Sequence, residues 1–255
     1  VADMSRGLRL VNVSNPSAPT EVGFYDTPNY AYDVVVRSGY AYLADDAGGL
    51  RILDVSNPAA PTEVGRYPLE YAQVVALAGD HAYVVSVGLY IVDISNPVAP
   101  ADAGFYLSPF LNVWDVTVVG NTAYVVDASS NLRTLDISNP AAATETGFYS
   151  IPGNAVGVAV TGNSAYVAAW GSGLRILDVS DPAHITELGF YDTPGTARDV
   201  AVSGDYAYVA DFDSGLRVID ISAPATPIEV GYYDTPGKSV AVAVVGDYAY
   251  VAEGG

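Results

Sequence analysis

Six aspartates recur at two places in this chain, and their type and spacing point first to cation chemistry. Asp33, Asp115 and Asp199 each open a short β-like run, and Asp45, Asp127 and Asp211 each close the run that follows. The intervening copies carry Val74, Gly157 and Ala241 at the first place and Ser86, Ala169 and Glu253 at the second. The Asp pairs therefore alternate along the chain. Carboxylate oxygens gathered in a ring are what a hard cation such as Ca²⁺ accepts. Asp33, Asp115 and Asp199, backed by Asp45, Asp127 and Asp211, are the candidate metal ligands. The same acids would also serve by capping loop N–H groups or by binding a neighbouring repeat. Arg198, opposite Asp211 across a two-residue hairpin, would take one of them as an ion pair.

Paired carboxylates can run glycoside hydrolysis, but that needs two acids in unlike environments, and no one pair is singled out here. No Ser-His-Asp set, Cys nucleophile or phosphate-cradling loop is present. The chain has no Cys, and its two histidines, His81 and His184, fall far apart in the repeat frame. A binding or scaffold module is the leading reading. A calcium-dependent hydrolase or lyase at the Asp ring is the alternative, and a structural subunit of a surface layer or filament is a third.

Aromatic residues supply the second kind of chemistry. Both tryptophans, Trp114 and Trp170, fall in the connections that differ most between copies, with Tyr30, Tyr32, Tyr71, Phe110 and Phe212. Gln73 and Arg198 lie in the same connections. Aromatic faces with a polar rim suit a sugar or a protein partner. The competing use is a lid of side chains tucked over the core.

Those connections are carried by a repeat. GLRILDVSNP at 49–58 returns as GLRILDVSDP at 173–182, and related segments bring the count to six. Their shared Leu stands at 8, 50, 89, 132, 174 and 216, a period near forty residues. Each period holds four short strand-like runs. The first two flank a tight turn such as Ser203-Gly204-Asp205, which suits a type II′ hairpin. The third ends at an S-x-P stop, since Pro cannot donate to a ladder. The fourth carries a recurring Gly. Four antiparallel strands per forty residues, without helical periodicity, predict an all-β, six-bladed β-propeller. A β-solenoid is the competitor, but its coils are shorter and do not suit tight hairpins.

The chain ends fit the same frame. Val1-Ala2-Asp3 aligns with Val251-Ala252-Glu253, so residues 1–28 and 239–255 are expected to share the sixth blade. That would close the ring and make 1–255 a single domain. The opening Val, in place of Met, reads as a mature or trimmed product.

All six copies keep L-x-x-hydrophobic-[DN]-[VI]-S. In this the repeats resemble the LVIVD-repeat family along the whole chain. The resemblance implies a β-propeller that is secreted or displayed on the cell surface, and it brings no catalytic residues with it.

Several recurring residues are explained by the fold. Arg9, Arg51, Arg133, Arg175 and Arg217 share a slot on the third run, where Tyr90 stands in the other copy. Asp54, Asp93, Asp136, Asp178 and Asp220, with Asn12, precede the S-x-P turn and can accept its backbone N–H groups. Gly23, Gly65, Gly104, Gly147, Gly189 and Gly231 suit a bulge or a close approach between repeats. The aromatics after them, such as Tyr25 and Tyr191, suit packing between repeats.

The formal charge is −19, from 29 acids against 10 bases, with a single Lys. Such a surface repels nucleic acid and anionic membranes. No apolar run is long enough to span a bilayer. The acidity fits an extracellular setting and attracts cations. A glycan or protein partner, self-assembly and bound Ca²⁺ are the associations these features allow.

Overall fold

The structure, a computed structural model, describes residues 1–107 and 113–254. Phe110 lies outside them. Among the described residues the regular structure is β, apart from one 3₁₀ turn at Pro140–Ala142.

The chain opens with an antiparallel pair, β1 (Leu8–Asn12) and β2 (Thr20–Tyr25). Five four-stranded antiparallel sheets follow in chain order. They are β3 (Asp33–Arg37), β4 (Tyr40–Ala44), β5 (Leu50–Asp54) and β6 (Thr62–Tyr67); β7 (Val74–Ala78), β8 (His81–Val85), β9 (Leu89–Asp93) and β10 (Ala101–Tyr106); β11 (Val113–Val119), β12 (Thr122–Asp127), β13 (Asn131–Asp136) and β14 (Thr144–Ser150); β15 (Gly157–Thr161), β16 (Ser164–Ala168), β17 (Leu174–Asp178) and β18 (Thr186–Tyr191); β19 (Asp199–Ser203), β20 (Tyr206–Ala210), β21 (Leu216–Asp220) and β22 (Ile228–Tyr233). The pair β23 (Lys238–Val245) and β24 (Tyr248–Gly254) ends the chain. No helix among the described residues is long and apolar enough to cross a membrane.

Two compact units are formed: Val1–Val113 with Asn139–Ala143, and Trp114–Ser138 with Thr144–Gly255. In the first, Tyr42, Ala44, Leu50 and Ile52 of one sheet pack on Val75, Ala82, Val84 and Val92 of the next. In the second, Tyr166, Ala168, Leu174 and Ile176 pack likewise on Val200, Ala207, Val209 and Ile219. The middle strands of each sheet are covered on both faces. Continuous apolar runs such as YAYLA and YAYVA therefore replace the alternation of a half-exposed strand.

The turns follow the sequence closely. Gly204 and Asp205 join β19 to β20, with φ +58° at Gly204 alone, the sign pattern of type II′. Ser38-Gly39 departs from this: φ is positive at both residues, the pattern of type I′. At the S-x-P stops, Asp54 accepts the Ser56 N–H at 2.8 Å, and Asp93, Asp136, Asp178 and Asp220 repeat the contact. Asn12 makes it with Ser14 at 2.9 Å.

The recurring glycine of each fourth strand serves both uses read from the sequence. It stands where the register shifts by one residue, as between Leu10↔Gly23 and Val11↔Glu21. A Cβ on Gly23, Gly65, Gly104, Gly147 or Gly189 would collide with the carbonyl oxygen of Pro58, Pro97, Pro140, Pro182 or Pro224 in the following repeat. Gly231 has no atom within 4 Å of such a Cβ.

Hydrogen bonding holds the turn carboxyls of Asp54, Asp93, Asp136, Asp178 and Asp220 below the usual carboxylate range. Their stabilisation is complete above the unfolded value of about 3.9 and is lost as pH falls through the lowered folded values. Changing these five Asp to Asn, as Asn12 already stands, keeps the turn but removes the titration. The expected result is a flatter fall of the melting midpoint below about pH 4 than in the parent, read by circular dichroism across pH.

Candidate functional site

Asp33, Asp115 and Asp199 each bridge two neighbouring first strands. One oxygen accepts the N–H of the next residue, Val34, Val116 or Val200, at 2.7–2.8 Å. The other accepts the N–H of Val75, Val158 or Val242, at 2.9, 2.8 and 2.8 Å. The alternation in the sequence now has a cause. An Asp in one repeat holds the first strand of the next, which itself carries Val74, Gly157 or Ala241 at that slot. Burial pushes the Asp199 carboxyl up, against the pull of its two backbone N–H partners.

Asp45, Asp127 and Asp211 are buried and meet the arginine six residues later on the third strand. Arg51 Nε donates to Asp45 at 2.5 Å and its Nη1 to Glu63 at 2.6 Å. Arg133 does the same with Asp127 at 2.6 Å and Glu145 at 2.7 Å. Arg217 lies 3.9 Å from Asp211 and 3.5 Å from Glu229. In the fifth repeat Ala169 replaces the Asp, and Arg175 Nε is buried with no hydrogen-bond partner. The same triads link repeats: Tyr25 donates to Glu63 at 3.0 Å, and Tyr191 lies 3.5 Å from Glu229. Among the described residues no three His, Cys, Asp or Glu side chains are grouped to hold a metal ion.

The loops after the second strands are tight. Asp45, Ala169 and Asp211 each donate their N–H to a Gly four residues on, at 3.0, 2.8 and 2.7 Å. The residue after each is locked to the following repeat by two backbone hydrogen bonds: Asp46 with Ala72, Trp170 with Ala197, Phe212 with Ser239. This pairing sets φ at +44°, +48° and +49°. Tyr71, beside Ala72, has φ +60°. Bulky residues in this region cost energy and mark places worth a functional account.

In the unit containing Trp170, the lock builds a ladder of rings and cations. Ala197 is pinned to Trp170, so Arg198 extends beside it. Its guanidinium lies 4.8 Å from the Trp170 ring and 4.5 Å from the Phe212 ring. Lys238 Nζ stands 4.8 Å from the Phe212 ring. The expected ion pair of Arg198 with Asp211 does not form. Arg198 meets that strand through its backbone, to Ala210 at 2.8 Å. Asp211 instead accepts from the Thr193 hydroxyl at 2.6 Å and the Gly195 N–H at 2.8 Å. Lys238 was missed in the sequence reading, although it is the one Lys of the chain. In the other unit Tyr30 and Tyr32 are exposed, with ring centres 6.4 Å apart, and Tyr71 and Gln73 are exposed beside Ala72. Trp114 is 49 % exposed on β11.

The family model described as LVIVD repeat matches residues 1–27, 28–68, 70–108, 112–150, 152–193, 194–235 and 236–255. No curated protein matches the chain. The structure is similar to the WD40 β-propeller domain of Doa1, with TM-score 0.76 and 11% identity over 95% of this chain and 80% of that one. A chain of the mitotic checkpoint complex gives TM-score 0.79 at 9% identity, over 94% and 76%. BamB from Moraxella catarrhalis gives 0.63 at 14%, over 98% and 87%. At these identities the likeness establishes the fold, that of β-propellers, and nothing of the activity.

Two outcomes follow from the carboxylates. Asp199→Ala leaves the Val200 and Val242 N–H groups without their acceptor and is expected to cost about 1–3 kcal/mol in urea unfolding. Since burial raises the Asp199 carboxyl, this group adds stability as pH falls from its raised folded value toward the unfolded one, as Asp211, also raised by burial, does; Asp199→Ala should remove the Asp199 share. Because Asp33, Asp115 and Asp199 already accept backbone N–H groups with both oxygens, the melting midpoint is expected to be the same in excess chelator and in millimolar calcium. A rise with calcium, by mass action on the native state, would return the cation reading to first place.

Proposed function

The chain belongs to the LVIVD repeat family, and on that footing we propose that it is a non-enzymatic binding module that recognises a protein partner through its loop aromatics. The observation that carries this reading is the backbone of Tyr71, Trp170 and Phe212. Three aromatic residues hold positive φ in connections that a glycine would fill at lower cost. A sequence that keeps them there retains their rings for a purpose other than stability. Loops on a rigid sheet scaffold are where binding residues concentrate. A glycan is the second reading, favoured by Tyr30 and Tyr32, whose exposed rings offer faces for sugar stacking.

Six blades, with β1–β2 and β23–β24 as the two halves of one blade in a single domain, complete the proposal. The match of Val1-Ala2-Asp3 to Val251-Ala252-Glu253 supports it, as do the two half-sheets at the chain ends. Secretion or surface display is the setting we propose, on the strength of the acidic surface and the family resemblance.

Tyr71→Gly and Trp170→Ala test the binding reading on arrays of immobilised peptides and glycans. Tyr71→Gly is expected to raise stability by about 1 kcal/mol through relief of φ strain while weakening binding. Trp170→Ala is expected to lose binding with little change in the melt. Both variants binding like the parent would place recognition elsewhere. Gly231→Ala tests the closed ring. Closure would set this glycine against the next repeat's Pro carbonyl, so the variant should lose about as much stability as Gly189→Ala, roughly 1–3 kcal/mol. A neutral Gly231→Ala beside a costly Gly189→Ala would count against closure.

A further inference from the structure

Every third-strand arginine in this protein is neutralised from within: Arg9, Arg51, Arg133, Arg175 and Arg217 all have a carboxylate within 4 Å. Arg198 is unlike them. No ion pair among the described residues involves Arg198 or Lys238. This occurs in a chain where acids outnumber bases 29 to 10. Arg6, Arg37 and Arg66 are in no ion pair either, but Arg6 is exposed, and Arg37 and Arg66 donate to the carbonyl oxygens of Gly79 and Gly48. Arg198 is half-buried with neither kind of partner, the first feature that sets it apart.

The geometry adds a second one. The Arg198 guanidinium lies over both the Trp170 and the Phe212 ring, where Arg9, Arg133, Arg175 and Arg217 each meet one, and its Nε, like those of Arg9, Arg175 and Arg217, is buried with no hydrogen-bond partner. Stacking, not hydrogen bonding, fixes this side chain. A guanidinium that lies over two rings keeps its N–H edge for a ligand, and that edge matches a carboxylate. The rotamer entropy of the arginine is spent on folding, so less is lost when a ligand arrives. Lys238 on the Phe212 ring supplies a second, exposed cation along the same ladder.

We propose that the Trp170–Arg198–Phe212–Lys238 ladder is a carboxylate-recognition site, and that its occupant is an acidic segment of a protein partner. The proposal rests on the binding reading above and names the chemistry of the partner. The rest of the chain is acidic, but its repulsion falls away beyond a Debye length of about 8 Å at physiological salt. A short acidic segment can therefore be held by the two cations, while long polyanions meet the repulsion of the whole surface.

The test uses the full chain with Trp114→Phe, which leaves Trp170 as the single tryptophan reporter at the site. The probe is a capped tetra-glutamate peptide, with capped tetra-glutamine as the neutral control and inorganic phosphate as competitor. The expected result is a saturable change in Trp170 emission with the glutamate peptide only. Arg198→Gln should raise the half-saturating concentration at least about tenfold, roughly 1.4 kcal/mol, and Lys238→Gln by a smaller factor. Arg198→Lys, which keeps the charge without the planar fork, should fall between. No response to the glutamate peptide, or equal half-saturation in the parent and Arg198→Gln, overturns the proposal. So does competition by phosphate at or below the glutamate concentration. An equal response to the glutamine peptide, lost in Phe212→Ala, would sink carboxylate recognition and leave the aromatic binding reading intact. Loss of array binding in Trp170→Ala and Tyr71→Gly tests that broader reading separately.

Discussion

The third-strand arginine is the constraint around which five of the six repeats are arranged, Tyr90 standing in its place in the other. It sits among apolar residues, with Arg51 and Arg133 buried on the same strands as Leu50, Leu53, Leu132 and Leu135. A charge removed from water costs several kcal/mol unless it is paired and hydrogen-bonded. The acid at the end of the second strand and the glutamate of the fourth meet that requirement from two sides. The three strands are thereby tied together, and the tyrosine of the preceding repeat joins through the same glutamate. In the fifth repeat, where Ala169 replaces the acid, Arg175 keeps only the distant partners Glu187 and Asp192, and its Nε, like those of Arg9 and Arg217, has no hydrogen-bond partner.

Two further contacts set the spacing between neighbouring sheets. The bridging carboxylates of Asp33, Asp115 and Asp199 act at the first strands, and the glycine-to-proline-carbonyl approaches act at the fourth. Between them, the backbone exchange of the loop residue with the next repeat fixes a positive φ wherever it occurs. The side chain at that position contributes nothing to the exchange. It is free to vary, and Met4, Asp46, Trp170 and Phe212 all accept it. Where the exchange occurs, the scaffold thus separates a recurring backbone contact from a variable side chain. The variable side chains gather rings and cations in one unit and exposed tyrosines in the other.

Much of this was legible in the sequence because repetition turns weak local signals into strong ones. A single S-x-P stop is common, but six in register identify a unit of four strands. The uses of Asp54 and its counterparts followed from their distance to the turn, and those of Gly23 and its counterparts from their place in a strand. The alternating acids were harder. Their pattern was visible, but a ring of oxygens for a cation and a set of N–H acceptors between strands share the same residues. The arginine six positions after Asp45, Asp127 and Asp211 was the signal that would have paired them, since Ser86 and Tyr90 replace both members together.

Residue type and period, by themselves, determined the all-β class, the strand order within each repeat, the turns and the apolar middle strands. These depend on contacts within some forty residues and on a pattern repeated along the chain. Tertiary structure alone decided which acid meets which N–H group, because Asp33 and Val75 are brought together only when two sheets pack. It also decided that Arg198 stacks between Trp170 and Phe212 and does not pair with Asp211. The hairpin register sets that arginine opposite the acid. The acid's oxygens, however, are already held by Thr193 and Gly195, and the rings of two successive loops offer the guanidinium a place that no single repeat contains.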